Sequence, residues 1–174
     1  MIHRIGRFSE VVPFLNKKTL ILCDLDYTLV DYGKPFIEFL NETTVDGLQN
    51  EPAAYKAFDH YIRKHKPTPS DPAGFIQLMK EVLQQQGKLI FVTARPAYFE
   101  AFTRKEFTRL NLDYDFFEVY YMGGQSKGEF CQRYLKEKTG MFKDIFFIDD
   151  YKKNIKSFHA FVPDAKTFLF RLVG

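Results

Sequence analysis

The chain has 174 residues with 45% apolar and 27% charged side chains, proportions that exclude a disordered or fibrous chain and suit one globular domain with a proper core. A formal charge of +3 carries no strong nucleic-acid or membrane signal, and no segment approaches the length of a membrane span. Cys23 and Cys131 are too few for a secreted disulfide framework; both are expected to be reduced, buried thiols in a cytoplasmic protein, and non-classical export to another cell's cytosol stays open.

In chain order, residues 9–15 suggest a short helix or turn interrupted by Pro13. The stretch Thr19 to Val30, TLILCDLDYTLV, follows. Its apolar run reads as a strand buried on both faces, and it ends abruptly in two carboxylates, Asp24 and Asp26, with Thr28 two residues on. Carboxylates this close repel unless a cation joins them or one stays protonated, so the pair suggests a metal, an acid/base role, or both.

Residues 30–35 read as a turn around Gly33 and Pro35. From Pro35 to Pro69 there is no strand signal, and the helical spacing of Phe36, Phe39 and Leu40, then of Tyr55, Phe58, Tyr61 and Ile62, suggests a pair of short inserted helices. The segment KPTPSDP reads as an exposed connection. Asp71-Pro72 then starts an amphipathic helix over 73–86, stopped by Gly87. A second buried strand is expected at 88–93, a helix after Pro96, a third strand at 116–122 closed by Gly123-Gly124, and a helix over about 126–138 capped by Ser126. A fourth apolar strand at 144–149, a helix over about 151–159 and a last strand at 167–172 complete the alternation. Such alternation argues for a doubly wound parallel α/β sheet with right-handed crossovers.

Four of these strands end in, or just before, distinctive polar residues: Asp24 with Asp26, Thr93 with Arg95, Lys127, and Asp149 with Asp150. Polar side chains collected along the carboxyl edge of one sheet form a site. The ordered motifs CDLDYTLV, FVTAR, QSKGEF and FFIDDYKKN resemble those of the haloacid dehalogenase (HAD) superfamily, spanning Asp24 to Asp150. The flanking FSEVV and IDDYKKN are similar to a bacterial branch of that superfamily whose substrates are poorly defined.

The resemblance implies a Rossmann-like HAD fold and a Mg²⁺-dependent phosphatase. Asp24 would attack phosphorus and carry an aspartyl-phosphate; Asp26 would protonate the leaving oxygen and then activate water. Thr93 would donate to a phosphoryl oxygen, and Lys127 would offset developing charge. Mg²⁺ would be held by Asp24, the main-chain carbonyl of Asp26, and Asp149, with Asp150 direct or through water. Arg95 stays open between a phosphate contact and a helix start, Thr28 is expected to organise the loop, and Asn154 is either a support for the metal acids or a surface residue.

The acidic Asp26 separates the chain from the dehalogenases and ion-pumping ATPases that the family also contains. A single domain is expected over residues 1–174, with a core of about 9–33 and 71–174 and a small helical flap or insertion over about 34–70. No full cap domain fits in either gap between motifs. An open site suggests a phosphorylated macromolecule, such as a phosphoprotein and possibly phosphotyrosine. Small-metabolite and nucleic-acid-end phosphatases, and a catalytically silent binding domain, are the alternatives. The stretch YKAFDHYIRKHK, with Lys56, Arg63, Lys64 and Lys66, reads as a solvated helix face.

Overall fold

The computed structural model describes residues 2–33, 60, 64, 67–123 and 125–171. The expected insertion falls mostly outside the described residues; of its basic segment, His60 and Lys64 are described, both helical and exposed.

Six parallel strands form one sheet: β1 (Ile2–Ile5), β2 (Thr19–Cys23), β5 (Lys88–Thr93), β6 (Glu118–Tyr121), β7 (Asp144–Asp149) and β8 (Lys166–Phe170), in the spatial order β1-β8-β7-β2-β5-β6. Two short strands, β3 (Val30–Asp31) and β4 (Thr68–Pro69), pair antiparallel beside it. The helices are α1 (Pro72–Gln84), α2 (Glu100–Arg109), α3 (Lys127–Glu137) and α4 (Lys152–Phe161), with a 3₁₀ turn at Phe8–Phe14.

All five residues of β2 are buried, as a strand covered on both faces requires. Its alternate side chains feed two cores. Ile21 and Cys23 face α1, the Phe8–Phe14 turn and the aromatic cluster of Phe91, Phe102 and Phe107. Leu20 and Leu22 face α3 and α4, where Phe147 stacks on Phe158 with ring centroids 4.1 Å apart. From β2 the chain runs outward through β5 and β6, then returns to β7 on the other flank. That reversal beside β2 is the switch point at which doubly wound sheets open a crevice at their carboxyl edge.

Three local expectations are corrected. Ile2–Ile5 is an edge strand paired with β8, which the half-buried IHRI does not announce. Val30–Asp31 and Thr68–Pro69 are strand residues where a turn and an exposed connection were expected, because pairing over a long sequence gap leaves no periodicity in two-residue strands. At the end of α1 the left-handed residue is Gln86, with φ 55°, and Gly87 serves a different purpose. A Cβ on Gly87 would stand 2.6 Å from the Thr19 carbonyl oxygen, so only glycine lets α1 turn this closely onto the start of β2. Between Thr93 and Lys127 the described chain forms only turns, α2 and β6, with no inserted cap.

Gly87→Ala should cost on the order of 1–3 kcal/mol, because the atom in the way is backbone of the central strand and cannot swing aside. Denaturant unfolding measures this; an unchanged midpoint would contradict the close-approach reading.

Candidate active site

The loop after β2 sets the site. The Asp24 amide donates to the Ile148 carbonyl at 2.9 Å, carrying the β2–β7 ladder to its last rung. The chain then folds back tightly: the Leu25 carbonyl accepts from Thr28, Leu29 and Val30, and Tyr27 adopts φ 58°. A non-glycine residue in this region is uncommon and gathers at functional loops. Leu25 is fully buried and anchors the turn that carries Asp24 and Asp26.

Lys127, the first residue of α3, is buried and places Nζ 2.5 Å from Asp24 Oδ1 and 2.8 Å from Asp149 Oδ2. Burial alone would weaken its charge, but the two carboxylates more than compensate and hold its pKa above the ordinary lysine value. Asp24 is pushed up to about 8 by burial, with Lys127 opposing and Asp149 and Asp26 adding to the rise. Asp150 rises to about 6 through partial burial and the adjacent Asp149.

Asp24, Asp149 and Asp150 each offer an oxygen within 4.8 Å of the others. The donor set is all carboxylate, which suits a hard cation such as Mg²⁺. The Asp149 carboxylate is also held in place: Asn154 Nδ2 lies 3.1 Å from both its oxygens, and the Tyr151 amide donates to Oδ1 at 2.8 Å. Asn154 thus stands with the acids.

Thr93, fully buried at the end of β5, directs Oγ1 to Asp26 Oδ2 at 3.4 Å and accepts from the Arg95 amide at 3.2 Å. Arg95 turns to the neighbouring acid. Its guanidinium is buried against Asp26, with Nη2 at 2.6 Å and Nε at 3.1 and 3.2 Å from the carboxylate oxygens. Behind it, Nη2 reaches Glu106 Oε2 at 2.8 Å and the Tyr32 hydroxyl, and Nη1 donates to Thr103 Oγ1 at 2.9 Å. Burial pushes Asp26 upward, but the charge and hydrogen bonds of Arg95 outweigh it and leave the carboxyl below its usual value.

The sequence reading missed Glu106 and Thr103. Their signal was a threonine and a glutamate three residues apart on the buried face of α2, between Phe102 and Phe107. Thr28 is buried as a loop organiser should be, yet its hydroxyl finds no partner among the described residues.

No family profile and no curated protein matches the sequence. Solved structures do match the fold. The HAD domain of the effector protein Lem4 from Legionella pneumophila is 13% identical with a TM-score of 0.55, covering 90% of this chain and 85% of that one. A hydrolase from Streptococcus pneumoniae is 19% identical, TM-score 0.54, covering 91% and 95%. The class C acid phosphatase from Bacillus anthracis, solved with tungstate bound, is 20% identical, TM-score 0.51, covering 95% and 72%. With its four motifs converging on one sheet edge, the chain has the fold of the haloacid dehalogenase superfamily.

Proposed function

We propose that the protein is a Mg²⁺-dependent phosphomonoester hydrolase that works through an aspartyl-phosphate on Asp24. The observation that carries this is Lys127 bridging Asp24 and Asp149 while Asp150 closes a three-carboxylate set beside them. Four carboxylates, Asp24, Asp149, Asp26 and Glu106, are in contact with two cations, Lys127 and Arg95, and Asp150 adds a fifth beside Asp24 and Asp149. Such an excess of negative charge would repel a phosphate dianion unless a further cation is present.

Asp24, Asp149, Asp150 and the main-chain carbonyl of Asp26 would hold Mg²⁺, which offsets that charge and brings phosphate oxygens to the nucleophile. An Asp24 oxygen then attacks phosphorus as the bond to the leaving oxygen breaks. Lys127 and the Thr93 hydroxyl stabilise the charge on the phosphoryl oxygens, each contributing on the order of 3–4 kcal/mol by analogy with oxyanion donors. Asp26 delivers a proton to the leaving oxygen. Because Arg95 favours the ionised Asp26, that proton arrives with the substrate: a phosphomonoester has a second pKa of about 6 and enters partly as its monoanion. In the second half, ionised Asp26 takes a proton from water as the water oxygen attacks phosphorus, releasing inorganic phosphate and restoring Asp24.

No cap is inserted between β5 and α3 in the described residues, which supports an open site and a large substrate that excludes water by its own docking. A phosphoprotein, with phosphotyrosine as the form matched to the half-buried Tyr27 ring, is the substrate class we assign.

Hydrolysis of p-nitrophenyl phosphate should require Mg²⁺, stop with chelator, and fall at least on the order of 10³-fold in Asp24→Asn. Turnover retained by that variant would contradict the assignment. A second measurement uses linkage. A carboxyl raised from 3.8 to about 8 contributes stability that is full at low pH and lost as pH rises through about 8. Mg²⁺ favours the ionised form, so the rise in Tm caused by Mg²⁺ should be larger at about pH 8 than at about pH 6. A shift that is flat or shrinks with pH would contradict metal binding at Asp24.

A further inference from the structure

We propose that Glu106 and Tyr32 are positioning residues for Asp26, acting through the Arg95 guanidinium. The inference rests on the phosphatase reading, in which Asp26 handles the proton of the leaving group.

Arg95 presents a planar fork whose donors keep a fixed geometry, so holding one edge aims the other. The edge away from Asp26 is held from two elements. Glu106 Oε2 accepts at 2.8 Å and Thr103 Oγ1 at 2.9 Å, both from the buried face of α2, and the Tyr32 hydroxyl lies against Nη2 from the segment after β3. Tyr32 in turn donates to Glu106 Oε1 at 2.6 Å, so both oxygens of that carboxylate are used. Thr103 is fixed by donating to the Phe99 carbonyl at 3.1 Å. The edge toward Asp26 makes the paired contacts of Nε and Nη2 that set the plane of its carboxylate. Asp26 is thus oriented from behind by α2, across 80 residues of sequence.

The bland alternative is a core ion pair that stabilises the fold. Its position speaks against that reading. Glu106 is 1% exposed and Arg95 5%, and burying such a pair loses desolvation energy that apolar side chains of equal volume would not lose. The surroundings, Phe99, Phe102 and Phe107, could have continued as core. The charges are instead strung toward the one carboxylate that must meet the leaving oxygen, which is itself 27% exposed to the crevice. Glu106 also gives Arg95 a second carboxylate partner, which keeps the guanidinium on Asp26 when a phosphate enters.

Misorienting Asp26 harms both proton transfers, but only formation of the phosphoenzyme depends on the leaving group, and kcat/KM reports that step. Steady-state kinetics of native protein, Glu106→Gln, Tyr32→Phe and Asp26→Asn on p-nitrophenyl phosphate and phenyl phosphate separate the possibilities, since p-nitrophenolate leaves unprotonated and phenolate does not. For Glu106→Gln, kcat/KM on phenyl phosphate should fall on the order of 10–100-fold, a part of the 10²–10⁴-fold that a general acid supplies. On p-nitrophenyl phosphate kcat/KM should fall no more than about threefold, since slower hydrolysis of the shared phosphoenzyme lowers kcat without entering kcat/KM. Tyr32→Phe should show the same pattern at a smaller scale, and it carries the test if Glu106→Gln does not fold. Equal losses of kcat/KM on the two substrates, or none, would overturn the inference while kcat/KM of Asp26→Asn still discriminates between them. If native protein shows no Mg²⁺-dependent turnover, or Asp26→Asn lowers kcat/KM alike on both substrates, the phosphatase reading fails and this inference with it.

Discussion

Mutual repulsion among carboxylates governs this molecule. Asp24, Asp26, Asp149 and Asp150 reach one edge of a buried sheet, and Glu106 approaches from behind. In a site of low effective dielectric, unit charges a few ångströms apart interact at several kcal/mol, so the cluster exists only because cations are threaded through it. Lys127 spans the β2 and β7 acids; Arg95 spans Asp26 and Glu106. The fold supplies both from helix or loop positions just beyond strands β6 and β5, where the switch in winding direction opens the crevice. The charge still unbalanced is the opening for a divalent cation and a phosphate.

The position of the candidate site was legible in the sequence because buried parallel strands are written as apolar runs, and an apolar run stopped by acids marks its own carboxyl edge. LILC before Asp24, LIFV before Thr93 and IFFI before Asp149 carry that signal, and their observed strands agree closely with the expected ones. Lys127 was legible through motif order and the Ser126 cap, which accepts from the Glu129 amide. What the sequence hid depended on partners far along the chain. Neither β1 nor the β3–β4 pair is long enough to show a period, and their identity comes from the strands they join. Arg95 was visible as a charge but its direction was not, because its orientation is decided by Glu106 and Tyr32, 11 residues ahead and 63 behind. A glutamate on the apolar face of α2 is a departure from the helix's own pattern, and such departures repay attention near a site.

The two halves of the proposed reaction divide between the two cations. Lys127 and the acids around it address phosphorus and the nucleophile, whereas Arg95 and the residues behind it address the proton. This separation lets one carboxylate, Asp24, stay unprotonated once a cation is present, while a neighbour two residues away keeps a different charge environment. Environments that diverge for adjacent acids are how acid and base roles are assigned within one site.

The most direct measurement is acid-quenched mass spectrometry of the protein mixed with an aryl phosphate and Mg²⁺, with native protein beside Asp26→Asn. One phosphoryl group on the peptide bearing Asp24, accumulating further in the variant as hydrolysis of the intermediate slows, is the expected result. Turnover accompanied by a phosphoryl group on another residue, or by none on Asp24 in either protein, would contradict the assignment of Asp24 as the nucleophile.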